Sequence, residues 1–475
     1  MSFVAFMSNA ACKKLVYVSA PVTSVNSSNV FTSDATAAAV LTGIYTKMSQ
    51  SNAGWSGITS FFLFGALSAD ELTLYDVNNT TYNPYYYNTL NNSNTGTDFW
   101  ISIYPLIYDV NAAIEGLKSG GGLTPAVRQQ ALGEAYFLRA FFYFYLVNLY
   151  GDVPLVVGTD YAVNAALPRA AKAQVWQQVI DDLHLAQGYL SVNFLDGTLV
   201  QTTTARVRPT RWAAASLLAR AYLYTGNWIG ADSAASAVIA SSGYVLAPLT
   251  GTGRVFSQNS VESIWQLQPV GTGPTSNTGE GLLFLLPSSG PNTSGTYPVY
   301  LGNAVINSFE LGDQREVAWV NSVKVGATTY YFPYKYQAGR LNTTTIEYST
   351  VMRLAEQYLI RAEARAEEGI ITGANSAATD LNVIRQRAGL PATLAATQSD
   401  MIAAILHERQ VELFTEWGHR WLDLKRAGTI DAVMGTPGNA CVVKGGSGWS
   451  SNWQWYPIPL SELNADFRLQ QNVGY

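Results

Sequence analysis

The chain has 475 residues, of which 13% are charged, with a net charge of -5, 28 tyrosines and 12 tryptophans. That charge fraction is half the globular average of about 25%, so Asn, Ser, Thr and Tyr must carry much of the polar surface. No block of Lys or Arg forms a basic stripe, which excludes a nucleic-acid partner. The two cysteines, Cys12 and Cys441, are too few for a disulfide framework or a cysteine-rich zinc site.

The chain opens SFVAFMSNAACKK: a short apolar run, small residues, a cysteine and two lysines. This reads as the end of a lipoprotein signal, residues 1–11, with Cys12 as the lipidated first residue of a mature chain 12–475. The apolar run is shorter than the usual ~7 to 15 residues, and Asn9 stands where an aliphatic residue is usual. No later stretch of about 20 apolar residues could span a membrane as a helix. Residues 76–98 form a long polar loop with interleaved tyrosines, and loops of that length within a compact domain are functional or disordered. Residues 99–118 then place Trp100, Tyr104, Ile107, Val110 and Ile114 at helical spacing, with Pro105 expected to kink or delay the helix. Residues 129–150 are apolar almost all round, which predicts a helix buried on most sides that Gly151 and Pro154 stop.

Two later segments share a plan. Residues 212–239 place Leu218, Ala219 and Tyr222 on one helical face, stop at Gly226 and restart at Trp228; residues 352–369 and 376–390 repeat the pattern. Small alanines at the crossing points with one large residue per turn are the tetratricopeptide pattern, and about four such helix pairs are expected, with hairpins around 130–240 and 350–428. Between them, around 243–350, the chain is loop-rich. Residues 261–270 alternate as a strand does and residues 328–337 are rich in β-formers.

The stretch ERQVELFTEWGHRWLDLKRAG, residues 408–428, holds eight Asp, Glu, Lys or Arg residues and a histidine. Phe414, Trp417, Trp421 and Leu424 fall on one face of a helical wheel. Arg409, Glu412, Glu416, Arg420 and Asp423 fall on another, so one amphipathic helix with Glu416–Arg420 and Arg420–Asp423 pairs is predicted. His407 and Glu408 begin a zincin motif that Val411 breaks, and a single ExxH at Glu416 and His419 is short of a di-iron site. The charges read as scaffolding, and neither a metal nor a cofactor is expected.

Taken together, this stretch, CKKLVYVSAP at 12–21, SADEL at 68–72, GEAYFLRAFFYFYLVNLYGDVPLV at 133–156, GDQRE at 312–316, YPIPLSEL at 456–463 and the closing QNVGY resemble the SusD/RagB family of Bacteroidetes outer-membrane lipoproteins. The resemblance runs over nearly the whole chain. It implies a mostly α SusD-like fold of tetratricopeptide-type pairs with long loops and small β elements. It also implies a non-catalytic, surface-exposed lipoprotein of the outer membrane, anchored through Cys12. Such a protein captures glycan and delivers it to a SusC-like TonB-dependent transporter. Asp70 matches a family acid that contacts sugar.

The residues themselves place the ligand in the loops around 70–98 and 243–350. Sugar rings stack their apolar faces on aromatic rings and offer hydroxyls to amides and carboxylates, and exposed aromatic loops are where binding residues concentrate. Tyr85, Tyr87 and Asn88 in the first loop, and Tyr297 and Tyr300 in the second, are the candidates beside Asp70. Neither loop carries the tryptophans of starch-binding members, which speaks against starch. The alternatives are capture of a non-glycan nutrient or peptide and, less favoured, glycoside hydrolysis.

Overall fold

The computed structural model describes residues 30–53, 57–93, 95–435, 440–445 and 448–475, and Cys12 with the signal-like segment lies outside them. Counting helices of eight residues or more, the order is α1 (Asp34–Ala53), α2 (Phe61–Ser68), α3 (Asp98–Ser119), α4 (Pro125–Tyr150), α5 (Lys172–Tyr189), α6 (Arg211–Tyr224), α7 (Trp228–Ile239), α8 (Leu354–Glu367), α9 (Ala377–Arg387), α10 (Gln398–Glu412) and α11 (His419–Arg426). From α3 to α9 each helix packs on the next, and α10 closes against α8 and α9. The helix pairs read from the sequence at 212–239 and 352–390 are α6–α7 and α8–α9, set within this series of packed helices. None of the helices described is long and apolar enough to cross a membrane.

Local chemistry sets these limits. Pro125 opens α4, where its missing N–H costs nothing, and Gly151 ends it at φ 74°. Asn227 caps α7 by accepting from the Gly230 N–H at 3.0 Å. Ala219, Ala231, Ala235 and Ala364 pack with Leu223 and Ile360 where α6, α7 and α8 cross, and their small side chains let the helices approach closely. Pro105 does not delay α3, which begins at Asp98 and runs through it.

Arg–carboxylate pairs clasp the series. Arg139 of α4 holds Asp182 of α5 at 2.7 and 2.8 Å, Arg220 of α6 holds Glu356 of α8 at 2.6 and 2.7 Å, and Arg361 of α8 holds Asp380 of α9 at 2.6 and 2.9 Å. Each is two-pronged, which fixes orientation as well as distance.

The small sheets are antiparallel and two-stranded. Leu72–Leu74 pairs with Val299–Leu301, Ser263–Leu267 with Ser349–Arg353, Val320–Val325 with Thr328–Pro333, and Val153–Pro154 with Arg169–Ala170.

The charged stretch departs from the prediction of one helix. α10 ends at Glu412, a tight turn follows, and α11 starts at His419. Thr415 (φ 54°), Trp417 (φ 45°) and Gly418 (φ 70°) take left-handed conformations in that turn. A side chain at Gly418 would collide with the Phe61 ring, so α2 packs directly on backbone there.

The expected Glu416–Arg420 pair is therefore absent. Glu416 turns back to Arg353, at 2.8 Å from its Nε, and to Lys335 at 2.6 Å. Lys335 also donates to the Glu412 and Phe414 carbonyls at 2.9 and 2.8 Å, satisfying oxygens that the broken helix leaves without partners. Arg353 reaches Glu262 at 3.0 Å and Glu412 at 2.6 Å, and Arg315 joins Glu408, Glu412 and Asp313. All these side chains are buried.

Removing one partner from such a network strands a charge out of water. Arg353→Met or Glu416→Gln is expected to lower the urea-unfolding free energy by about 3 to 5 kcal/mol, against less than about 1 kcal/mol for a surface pair such as Lys47–Asp109.

Candidate functional site

A cleft of about 690 Å³ opens where four distant segments meet, and its lining includes Asp70, Thr73, Tyr86, Tyr300, Arg420 and Lys444. Helix α2 ends at Ser68 and delivers Asp70; the first turn of α11 delivers Arg420. The strand pair sets Thr73 directly opposite Tyr300. Asn303 and Asn307 add amides to the wall. Beyond the rim, the Tyr300 ring stands edge-on to Tyr330 with centroids 5.1 Å apart, and Tyr330 in turn meets Tyr75 at 5.9 Å. Tyr75 is 41% exposed. The result is a polar floor with an aromatic row leading into it.

Charges on the floor are tightly arranged. Arg420 grips Asp70 with two parallel bonds, Nε to Oδ1 at 2.8 Å and Nη2 to Oδ2 at 2.7 Å. Burial alone would raise the Asp70 carboxyl, but the Arg420 bonds and charge more than reverse this and hold it below the ordinary carboxylate range. Lys444 donates to the Leu67 carbonyl at 2.7 Å and to the Ala69 carbonyl. Burial pulls this ammonium down to about 8, with Asp70 opposing the shift. Beneath the floor, burial raises Glu71 to about 8, only partly offset by the Thr415 N–H that it accepts at 3.0 Å. Glu71 is thus largely protonated near neutrality.

Of the residues predicted from sequence, Asp70 and Tyr300 meet in this cleft. Tyr85 does not. It is 1% exposed and packs at a tilt against Phe64 at a centroid distance of 4.2 Å, because the short helix Asn83–Tyr86 turns it inward. Asn88 is 2% exposed and donates to the Ser68 carbonyl at 3.2 Å, at φ 55°, so it serves as a turn residue that ties the loop to α2. Both therefore lie in the packed interior, away from the cleft lining, whereas the sequence places them as ligand contacts. Tyr87 is half-buried, edge-on to Tyr86 at 5.2 Å. Tyr297 lies in a separate turn, its N–H bonded to Asn292 at 3.3 Å and its ring 5.9 Å from the Arg340 guanidinium.

Sequence reasoning missed Arg420 and Lys444 as cleft residues, since their partners lie 350 and about 375 positions away in the chain. Tyr330 was read only as part of a strand. Among the described residues no cluster of His, Cys, Asp and Glu is arranged to hold a metal ion.

Two family models match the chain: the SusD family over residues 311–475, and a family described as starch-binding and associating with the outer membrane over residues 20–223. A SusD-like protein P2 of Formosa agariphila is 27% identical over 444 residues, covering 81% of this chain and 83% of that one. The starch-binding protein SusD of Bacteroides thetaiotaomicron is 33% identical over 129 residues, 26% of this chain and 21% of that one. Among solved structures, a laminarin-binding SusD-like protein superposes with a TM-score of 0.73 at 22% identity, covering 92% of this chain and 99% of that one. The surface glycan-binding protein A from Bacteroides uniformis gives 0.76 at 21% identity, covering 92% and 98%. These superpositions establish the fold.

Glu71 generates a pH signature. A carboxyl whose folded pKa is raised costs stability as pH climbs from its unfolded value, about 4.5, to about 8. Glu71→Gln keeps an acceptor for the Thr415 N–H and removes the titration. Its melting temperature relative to the unmodified protein should therefore rise steadily between pH 5 and pH 8, and a constant difference would contradict the assignment.

Proposed function

We propose, on the premise that the chain belongs to the SusD/RagB family, that it captures oligo- or polysaccharide in the Asp70–Tyr300 cleft and passes it to a partner SusC-like TonB-dependent transporter. The observation that carries the reading is the cleft itself. Tyr300 offers a ring to the apolar face of a sugar, Asn303, Asn307 and Thr73 offer hydroxyl-bonding groups, and the row through Tyr330 to Tyr75 extends the platform for a longer chain. The names of the laminarin-binding and surface glycan-binding neighbours support the same ligand class.

The role is binding without bond chemistry. Asp70 is the one acid among the described lining residues, and Arg420 occupies both of its oxygens. Glycoside hydrolysis needs two carboxyl groups facing each other across the bond. The location is the outer face of the outer membrane, with Cys12 as lipid anchor; a lipoprotein cysteine supplies the several acyl chains that stable anchoring requires. Replacing Cys12 with Ala should release the protein from the outer-membrane fraction of cells lacking the transporter.

Ring stacking and hydroxyl contacts on an open cleft bind weakly, at micromolar to millimolar Kd, or about -8 to -4 kcal/mol. An array of plant, host and microbial polysaccharides supplies the ligand for titration. Tyr300→Ala should then cost about 1 to 2 kcal/mol of binding. Tyr85→Ala should instead cost about 3 to 5 kcal/mol of stability, with the affinity of the folded protein preserved. Unchanged affinity in a folded Tyr300→Ala, Tyr330→Ala double variant would remove the cleft from the reading, and an array on which no glycan binds would remove glycan capture itself.

A further inference from the structure

We infer that the glycan held in this cleft is acidic, carrying carboxylate or sulfate-ester groups, and that Lys444 and the free edge of Arg420 receive them. The inference rests on the capture reading above and narrows its ligand class.

The charges do not cancel. The described lining holds two cations, Arg420 and Lys444, and one anion, Asp70. Asp70 is fully engaged by the Nε and Nη2 of Arg420, which leaves the Nη1 amino group of that guanidinium without a hydrogen bond among the described residues. Lys444 has three N–H donors, and protein carbonyls take two of them. Among the described residues donors therefore remain on both cations, with the Lys444 ammonium 5.0 Å over the Tyr86 ring, in a cleft whose other polar lining groups are hydroxyls and amides. Glu71, the next acid in the chain, faces Thr415 beneath the floor and is largely protonated near neutrality, so it does not restore the balance.

The cleft thus carries one positive charge in excess in a chain whose net charge is -5. In the buried core the contrast is plain: the guanidinium groups of Arg353 and Arg387 each meet two or more carboxylates. A neutral sugar would leave the cleft's cations facing water. A uronate or sulfate group meets both, and the half-enclosed wall strengthens the attraction over that in bulk water.

The test compares matched pairs of oligosaccharides by calorimetric titration: galacturonan oligomers as free acid and as methyl ester, and sulfated galactan oligomers before and after desulfation. One acidic series is expected to bind at least about tenfold tighter than its neutral twin at low salt, and the series that binds distinguishes carboxylate from sulfate. Lys444→Met should bring that ratio close to one. Asn307→Asp, which adds a carboxylate to the cleft wall with little change of size, should move the ratio the same way and serves if the lysine variant fails to fold. Neutral twins that bind as tightly as the acids, or a ratio that survives both substitutions, would overturn the acidic ligand while leaving glycan capture standing. If neither form of either series binds and neutral glycans on the array do, the acidic ligand fails alone; if nothing binds at all, the capture reading fails with it.

Discussion

The arrangement turns on one buried cation. Arg353, at the end of the strand Ser349–Arg353, reaches Glu262, Glu412 and Glu416 at once, and its Nη2 also caps the Glu412 carbonyl at 2.8 Å. With Lys335 it stabilises a helix that stops where propensity would let it continue. That stop redirects the chain, so α11 returns beside α2 and presents Arg420 to Asp70. Desolvating so many charges brings little net stability, since apolar side chains of similar volume fill such spaces as well or better. What the network supplies is direction: each carboxylate has a unique set of partners, and any other path for residues 413–418 would strand several of them.

This explains a chain poor in charge. Many of its Asp, Glu, Arg and Lys side chains lie inside, as clasps between consecutive helices or as members of the network at the α10 stop. The surface is left to amides, hydroxyls and tyrosines, the groups that suit contact with hydrated polymers. The excess cation of the cleft contrasts with Arg353 and Arg387 in the core, whose guanidinium groups each meet two or more carboxylates.

Much of the scaffold was legible in the sequence because helix pairing is a local signal. Alanines at crossing positions, Gly226 between α6 and α7 and the apolar run of α4 all sit within a few turns of the contacts they make. The break at 413–418 was not legible: its residues satisfy a 3.6-residue period, and only distant Lys335 and Arg353 make a left-handed Thr415 and Trp417 affordable. The same limit divides the loop tyrosines. Tyr85 and Tyr87 are two apart in one aromatic run, and nothing local distinguishes the ring that packs against Phe64 from the one left half-buried. Asp70 and Tyr300 were singled out in the sequence, one by family resemblance and one by composition, and share a cleft, whereas Arg420 and Lys444 become cleft residues only through contacts made across most of the chain.

The pairing of Thr73 with Tyr300 has a consequence for the order of assembly. A cleft wall made from strands on either side of the α4–α7 helices, with a floor added by residues near 420 and 444, closes loops of 350 residues and more. Consecutive helix pairs form from neighbouring sequence and so form early, while contacts of high sequence separation wait for the entropy of large loops to be overcome. The solenoid can therefore stand before the cleft exists. Competence to hold a ligand arrives last, when the segments near 420 and 444 have docked, so the site is the final part of the molecule to assemble.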